Sequence, residues 1–414
     1  MPVFEKQVFY KLQRRVKAFL GLEAGTAPDG TTPAPRRAVS KELAGSERTG
    51  PQAGEVERLR RRLAATEAKL SEAQANLAKQ RSPDQETPVF FVVGQPKSGT
   101  AWLMKILDFH PEIICKGGGR FFGRELRDEE FKEMQVGKAV RAKIQPSSLY
   151  NALLDAEYLR LWIERSIWSR NDDPEDHLTK LTRLAIDHFL TERLSKTNKR
   201  LVGDKTPLFS PNILSEISVI YPEAKVIHII RDGRDQAVSW MHHLWRSAKD
   251  QGGIFDLEPE EFEKRRAFHQ NPQEFLSSGE GIFLEERLRS AAEDWKVRVG
   301  RTIEDGPALL GTHYVEVKYE DLLERPEEEA GRLFEFLGAD ASVETVNRCV
   351  ESASFEQMSG RERGQENYTL DFGKRRKGIA GDWENVFTER DRELFKEVAG
   401  DLLIKLGYAR DNSW

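Results

Sequence analysis

Residues 89–103 read VFFVVGQPKSGTAWL, an apolar run followed by a turn with two glycines and then a helical pattern. A strand that enters a helix through such a turn presents backbone N–H groups to an anion. Gly94 and Gly99 have the G-x-x-x-x-G spacing of nucleotide triphosphatase loops, but Thr100 stands where those loops carry lysine. The only lysine, Lys97, lies inside the turn. We therefore expect a loop that binds phosphate, but not the phosphates of ATP together with magnesium.

Strand and helix patterns alternate along the rest of the chain. Further β-branched or apolar runs occupy residues 113–115, 201–202, 225–230 and 313–318. This alternation predicts an α/β domain over residues 86–414, a P-loop-like three-layer α/β/α arrangement around a central parallel sheet. Ligands of such sheets bind beyond the carboxyl ends of the strands, where Gly94, Arg231 and Tyr319 all fall.

The composition excludes several classes of protein. The 414 residues are 38% hydrophobic and 32% charged, with a net charge of −5, which is typical of a soluble protein and argues against nucleic-acid binding. The apolar run before the loop is far shorter than the roughly 18 residues of a membrane-spanning helix, and residues 1–6 do not open a signal peptide. We expect a cytoplasmic protein, in which Cys115 and Cys349 are buried thiols.

The N-terminal region predicts a helical extension in three parts. Residues 1–22 form a basic amphipathic helix, which through residues 3–20 contacts either an anionic membrane surface or protein. Residues 23–52 are rich in Gly, Pro and Ala and form a flexible linker. Residues 53–82 form a short coiled-coil-like helix, whose seam at 56–77 serves self-association or docks on the domain.

Two further basic motifs could hold an anion. Residues 226–240 read VIHIIRDGRDQAVSW and place Arg231 at a strand end and Ser239 two helical turns later, so that both can reach one phosphate. The alternative is a surface ion pair of Arg231 with Asp235. The basic run 374–377 precedes Gly378, which is typical of a solvated loop or of an anion clamp.

Together the three motifs resemble the sulfotransferases that use 3′-phosphoadenosine 5′-phosphosulfate (PAPS), most closely the cytosolic type. Residues 95–102 resemble the family's P-K-S-G-T-T-W loop, and Arg231 and Ser239 match its Arg and Ser eight positions apart. Residues 376–388 read RKGIAGDWENVFT and resemble its R-K-G-x-x-G-D-W-K-N-x-F-T segment. The resemblance extends from about residue 88 to 408.

The resemblance implies a role for each matching residue. The residues that cradle the 5′-phosphosulfate would be Lys97, Ser98, Gly99, Thr100 and Ala101. The residues that hold the 3′-phosphate would be Arg231, Ser239, Arg376, Lys377 and Gly378. The aromatic residues that contact adenine would be Trp102, by stacking, with Tyr319 and Phe355, unless these last two have only core roles. Ala101 and Ala353 replace family threonines, so each removes a hydroxyl.

The chemistry implied is sulfuryl transfer without a metal. A sulfuryl group carries less charge than a phosphoryl group, so lysines and backbone N–H groups can support its displacement. Lys97 is expected to neutralise the bridging oxygen. Lys205 resembles the second lysine of glycan sulfotransferases, with a structural role as the alternative.

The general base does not follow the family's patterns. Residues 204–207 read DKTP and lack the histidine of cytosolic members, and Gly118 stands at the glutamate position of glycan-type members. Asp204 and Glu125 are the nearby substitutes, although Asp204 could equally pair with a cation.

Three functions stay open at this point. The leading hypothesis is a PAPS-dependent sulfotransferase that acts on a hydroxyl or amine of a glycan, phenol, lipid or protein. A second is a degenerate PAPS-binding scaffold that lacks the base. A third, disfavoured by Thr100, is a P-loop kinase.

Overall fold

The computed structural model describes residues 88–123, 157–253, 255–365 and 376–414. The predictions for residues 1–22, 23–52 and 53–82 lie outside these ranges, as does Glu125. They stay predictions from the sequence. No helix within the described ranges is long and apolar enough to cross a membrane.

The centre of the domain is a five-stranded sheet in the order β2-β3-β1-β4-β5. All four strand pairings are parallel, which confirms the predicted parallel sheet. The strands are β1 (Val89–Gly94), β2 (Ile113–Gly117), β3 (Leu201–Pro207), β4 (Lys225–Ile230) and β5 (Tyr314–Lys318). Because β1 lies in the middle, the loop that follows it opens at the centre of the carboxyl edge, where ligands of such sheets bind.

Helices connect the strands and extend beyond them. Those up to β4 are α1 (Thr100–Asp108), α2 (Glu157–Arg165), α3 (Pro174–Ser195) and α4 (Ile213–Ile220). Those between β4 and β5 are α5 (Gly233–Arg246), α6 (Pro259–Gln270), α7 (Pro272–Ser277) and α8 (Glu285–Leu310). Those after β5 are α9 (Tyr319–Glu324), α10 (Pro326–Leu337), α11 (Val343–Ser352), α12 (Phe355–Ser359) and α13 (Glu389–Lys405). Short 3₁₀ helices occupy Lys249–Gln251, Gly311–His313 and Asp382–Asn385.

The alternation of side chains along β1 shows the three layers. Phe90 and Val92 pack in a buried cluster with α1, α10 and α11. Phe91 and Val93 belong to another cluster, with α3 and α4. Successive strand residues point to opposite faces, so helices cover both faces of the sheet. This confirms the predicted α/β/α fold.

A third buried cluster supports the carboxyl edge of the sheet. It is formed by α5, α8 and α13, with Trp245 and Trp295 fully buried. The Trp295 indole N–H donates a hydrogen bond to the backbone oxygen of Arg231 at 3.0 Å. Helix α8 therefore fixes the residue that follows β4.

The state of the two cysteines matches the prediction, whereas the bounds of two strands differ from it. Cys115 and Cys349 are free and buried, as predicted. Strand β3 continues to Pro207, well beyond the predicted 201–202, and β5 begins at Tyr314. The extension of β3 is set by its pairing with β1 on one side and β2 on the other, which a single segment does not reveal.

Candidate active site

A cleft of about 320 Å³ opens beyond the carboxyl ends of β1, β3, β4 and β5. The residues from the three sequence motifs that line it are Lys97, Gly99, Thr100, Ala101, Trp102, Arg231, Ser239, Arg376, Lys377 and Gly378. Lys205, Tyr319 and Phe355 line it too. Of the predicted cofactor-binding residues only Ser98 does not, because its side chain is fully buried. The fold thus brings the three motifs to one cavity.

The loop after β1 is held in an unusual backbone conformation. Lys97 has φ 75° and Gly99 has φ 92°, both in the left-handed region. A Cβ at Gly99 would lie 2.5 Å from Cδ2 of Tyr319, so only glycine fits. The Gln236 side-chain amide donates to the Pro96 oxygen at 2.7 Å and fixes the loop from α5. The loop leads directly into α1, whose first N–H groups have no partner within the helix and are available to an anion.

Arg231 connects the loop to the C-terminal motif. Its guanidinium donates to the backbone oxygens of Lys97 at 3.2 Å and Ile379 at 3.1 Å. It also lies over the Tyr319 ring, 4.4 Å from the ring centre. The alternative pair with Asp235 exists at 3.6 Å, but both side chains are buried rather than on the surface. Arg231 therefore has a structural role as well as its place in the cleft.

Two buried carboxylates organise the C-terminal motif. Asp235 accepts hydrogen bonds from the backbone N–H groups of Gly381 at 2.7 Å and Trp383 at 3.0 Å. Asp382 accepts a hydrogen bond from Lys377 Nζ at 2.8 Å and pairs with Arg376. Both cations are thereby held at the cleft. Arg376 and Lys377 are therefore paired and largely buried rather than part of a solvated loop. The anion clamp stays a prediction, and residues 374 and 375 lie outside the described ranges.

The aromatic residues form one wall of the cleft. The rings of Trp102 and Tyr319 meet edge to face, with 5.7 Å between their centres. The Trp102 indole N–H donates to the Ala353 backbone oxygen at 3.0 Å, so Ala353 contributes through its main chain. Gly378 has φ 68°, and a Cβ there would lie 2.4 Å from Cδ2 of Phe355. The basic segment therefore packs directly on this wall.

Two lysines reach the cleft, Lys97 from the loop after β1 and Lys205 from β3. Burial, with the positive charges of Arg246, Arg231 and Arg376, lowers the pKa of Lys97 to about 8. Burial also lowers the pKa of Lys205, which Asp204 partly opposes. Asp382, Asp235 and Asp204 offset part of this charge, but the charged neighbours that shift the pKa of Lys97 are all cations, which favours binding of an anion there.

Comparison with known proteins agrees with this geometry. The family model for the sulfotransferase domain matches residues 87–407. The chain belongs to the sulfotransferase domain family. Sulfotransferase 1A1 of Bos taurus is 30% identical over 205 residues, which are 46% of this chain and 60% of that protein. Sulfotransferase 2A6 of Mus musculus is 25% identical over 224 residues, 51% of this chain and 66% of that protein. The matched part thus spans about 60% of the length of the first of these relatives.

Solved structures with some similarity include a mouse sulfotransferase, SULT7A1, complexed with PAP. It is 19% identical, with a TM-score of 0.43, and the match covers 79% of this chain and 90% of that one. The sulfotransferase domain of the curacin biosynthetic pathway is 14% identical, with a TM-score of 0.40 over 77% and 98% of the two chains.

Asp204 occupies a different position in the sulfotransferase domain from Lys205. Adjacent residues of β3 point to opposite faces, and Asp204 does not line the cleft. Its carboxylate accepts hydrogen bonds from the Thr206 hydroxyl at 2.8 Å and the Gly119 N–H at 3.1 Å. Burial raises its pKa to about 6. Among the described residues that line the cleft there is no Asp, Glu or His, and Gly118 is exposed.

Several residues of the sulfotransferase domain's cleft were missed from the sequence. Arg363 and Leu323 line it without belonging to any recognised motif. Ile379 also lines it and lies within the third motif. Its position directly after Gly378 was the signal from which it could have been predicted. Within the described ranges, no group of three or more His, Cys, Asp or Glu side chains is arranged to hold a metal ion.

Proposed function

We propose that this protein transfers a sulfuryl group from PAPS to a hydroxyl or amine of an acceptor. The observation that carries the proposal is the convergence of three motifs, distant in sequence, on one cationic cleft at the carboxyl edge of the sheet. The cleft joins an anion-binding loop, an aromatic wall and a second cationic cluster. This combination suits a nucleotide with phosphate groups at two separate positions.

The donor is proposed to lie with its phosphosulfate over the loop and the first turn of α1. Lys97, Ser98, Gly99, Thr100 and Ala101 would cradle that group through main-chain donors and one ammonium. The adenine would lie against the aromatic wall formed by Trp102, Tyr319 and Phe355. The 3′-phosphate would meet Arg231, Ser239, Arg376, Lys377 and Gly378, with charge-assisted bonds worth roughly 1.5–3 kcal/mol each.

Transfer would proceed by in-line displacement. The acceptor oxygen or nitrogen forms a bond to sulfur while the bond from sulfur to the bridging phosphate oxygen breaks, and the acceptor loses its proton. Lys97, largely protonated below its pKa of about 8, would stabilise charge on the departing oxygen. Lys205 would do the same for the sulfuryl oxygens. Metal independence is part of this proposal, because these cations supply the charge that a metal would.

Transfer also requires a group that takes the proton from the acceptor hydroxyl or amine. Asp204 remains the sequence-based candidate, and a pKa of about 6 suits a base near neutral pH. Its position on the other face of β3 argues against direct contact with a donor in the cleft. This observation favours a second function, a PAPS-binding scaffold without turnover. A cytoplasmic location, membrane contact through residues 3–20 and self-association through residues 56–77 remain predictions.

Calorimetry with 3′-phosphoadenosine 5′-phosphate (PAP) in EDTA tests the donor site. Lys377→Met removes one phosphate contact and should weaken binding by about 10- to 100-fold. Lys405→Met is the matched control, since Lys405 also pairs with a carboxylate, that of Glu304, but on the surface. Its affinity should equal that of the wild type. No PAP binding, or tighter binding of ATP with magnesium, would refute the proposal.

Turnover separates the enzyme from the scaffold. The assay measures the release of PAP from PAPS in the presence of a panel of acceptors that carry hydroxyl groups: sugars, phenols, lipids and peptides. Release that depends on an acceptor and is lost in Lys97→Met supports the enzyme. PAP binding without any release supports the scaffold.

A further inference from the structure

One face of helix α5 runs along the donor site. The Gln236 side chain donates to the Pro96 oxygen at 2.7 Å, and Ser239 lines the cleft. His243 follows Ser239 by four residues and Gln236 by seven, so the three side chains share one face of the helix. A rise of about 1.5 Å per residue places His243 about 6 Å further along the helix axis than Ser239. His243 therefore lies one turn beyond the residues that line the cleft.

The charged neighbours of His243 also place it beside the loop after β1. Burial, and then the positive charges of Lys97 and Arg246, lower the pKa of His243 to about 4. Among the charges that lower the pKa of Lys97, that of Arg246 has the largest effect. Because such interactions weaken with distance, His243, Arg246 and Lys97 form one cluster. Lys97 is the residue proposed to stabilise the departing oxygen, so this cluster adjoins the proposed position of the sulfuryl group.

His243 differs from the other histidines of the chain in its exposure and position. Its neighbour His242 is 5% exposed, and the Nε2 atom of His242 is buried without a partner. His243 is partly exposed, and its Nε2 atom is not closed off from solvent in this way. The remaining histidines are fully buried or lie on segments that do not line the cleft: His110, His177, His188, His228, His269 and His313. Among the described residues, His243 is thus the histidine that a ligand at the cleft can reach.

Neighbouring groups hold the His243 ring in place. The Trp240 and Phe255 rings lie against it, with 5.4 Å and 6.1 Å between ring centres. Its Nδ1 atom lies 3.5 Å from the hydroxyl oxygen of Ser247, which is buried. A hydrogen bond from Nδ1–H to this oxygen would leave Nε2 with the lone pair that accepts a proton.

We infer that His243 takes the proton of the acceptor during sulfuryl transfer. The inference rests on the proposed function and deepens it by naming a base other than Asp204. As the acceptor oxygen or nitrogen bonds to sulfur, the bond from sulfur to the bridging oxygen breaks and the acceptor proton passes to Nε2 of His243. The bridging oxygen leaves with PAP, its charge beside Lys97, and the imidazolium then gives its proton to solvent.

The position of His243 suits this role. In-line transfer places the acceptor on the side of sulfur opposite the departing oxygen, and therefore outside the lining of the donor cleft. In the ligand-free protein at neutral pH the imidazole is neutral, which is the form that accepts a proton. The anionic groups of a bound donor would offset the charges of Lys97 and Arg246. Donor binding would therefore raise the pKa of His243 and make it a stronger base.

Turnover of His243→Gln tests the inference, because glutamine is polar and of similar size but does not take up a proton. The release of PAP from PAPS is measured with 4-nitrophenol, methyl glucoside, glucosamine, octanol and a tyrosine-containing peptide, and with water alone. With each acceptor that the wild type uses, kcat should fall about 100-fold or more. Calorimetry should show PAP affinity within about twofold of the wild type. Added imidazole should restore part of the turnover of His243→Ala.

His188→Gln is the matched control, since His188 is an exposed histidine on α3, and its turnover should equal that of the wild type. NMR of the histidine ring protons tests the position of His243 without an acceptor. The signal that is missing from each glutamine variant identifies that histidine in the wild type. Saturation with PAP should change the chemical shift of His243 and leave that of His188 unchanged.

PAP binding, with His243→Gln turning over at more than about a tenth of the wild-type rate, overturns the inference while the proposed function stands. A parallel loss of turnover and PAP affinity indicates a structural role and overturns it too, as does a His243 signal that PAP does not move. PAP binding without any PAP release by the wild type overturns the inference and favours the scaffold. Absence of PAP binding refutes the proposed function, and the inference with it.

Discussion

Replacement of Lys97 by Met is expected to stabilise the ligand-free protein while it removes donor binding. Burial and the neighbouring charges of Arg246, Arg231 and Arg376 lower the pKa of Lys97 from 10.5 to about 8. The folded state therefore disfavours the charged form that predominates at neutral pH. Methionine has similar length and no charge, and it keeps the Cβ at φ 75°, so the backbone conformation costs the same in both proteins.

The magnitude follows from the pKa difference. Lowering the pKa of Lys97 from 10.5 to about 8 corresponds to a free-energy cost of the charged form of roughly 3 kcal/mol, an upper limit because solvent partly screens the ammonium. Between pH 8 and 10.5 the unfolded state binds more protons than the folded state, so wild-type stability rises with pH in that window. The advantage of Lys97→Met should be full below pH 8, about 2 kcal/mol at pH 9 and below about 1 kcal/mol at pH 10.

Urea unfolding of both proteins at pH 7, 8, 9 and 10 measures this difference directly, since other titrating groups cancel. Lys405→Met, on the surface of α13, should show no comparable gain. Addition of PAP at 100 times its Kd should stabilise the wild type by about 2.7 kcal/mol and the Lys97→Met protein far less. A variant no more stable than wild type at pH 7, or a difference that does not change with pH, would refute the reasoning.

Three other substitutions test the remaining parts of the site. Gly99→Ala should lose roughly 1–3 kcal/mol in urea unfolding, because its Cβ would lie 2.5 Å from the Tyr319 ring at a positive φ; unchanged stability would contradict this. Asp382→Asn releases the two cations that Asp382 holds, so calorimetry should show about tenfold weaker PAP binding and unchanged binding of adenosine 5′-phosphate, which lacks the 3′-phosphate. An equal loss for both ligands would argue for a general structural defect. Asp204→Asn should leave PAP affinity within about twofold, since the carboxyl lies outside the cleft. Its folded pKa of about 6 exceeds the ordinary 3.8, so wild-type stability should fall as pH rises from about 4 to 6, and parallel wild-type and variant profiles would count against this assignment.

The fold could be predicted from the sequence because its signals are local. The apolar run of β1, the glycine spacing and the helical pattern of α1 lie within residues 89–103, and each follows from short-range sterics and side-chain periodicity. The same holds for residues 225–230, where β4 has the predicted bounds. The cleft residues with a recognised motif were also found, since each motif sits directly after a strand and the carboxyl ends of parallel strands meet at one edge.

The sequence by itself therefore determined the parallel sheet, the loop and the three motifs that meet at its edge, but not Arg363 and Leu323, which also line the cleft. Only the tertiary structure decided which side chains reach the cleft. Asp204 and Lys205 are adjacent in sequence, yet the pleat of β3 sends them to opposite faces. The Ala353 carbonyl and the Asp382 carboxylate have their roles at the cleft only because Trp102 in one case, and Arg376 and Lys377 in the other, contact them. Such contacts arise from the packing of distant segments, whose register no single stretch of sequence encodes.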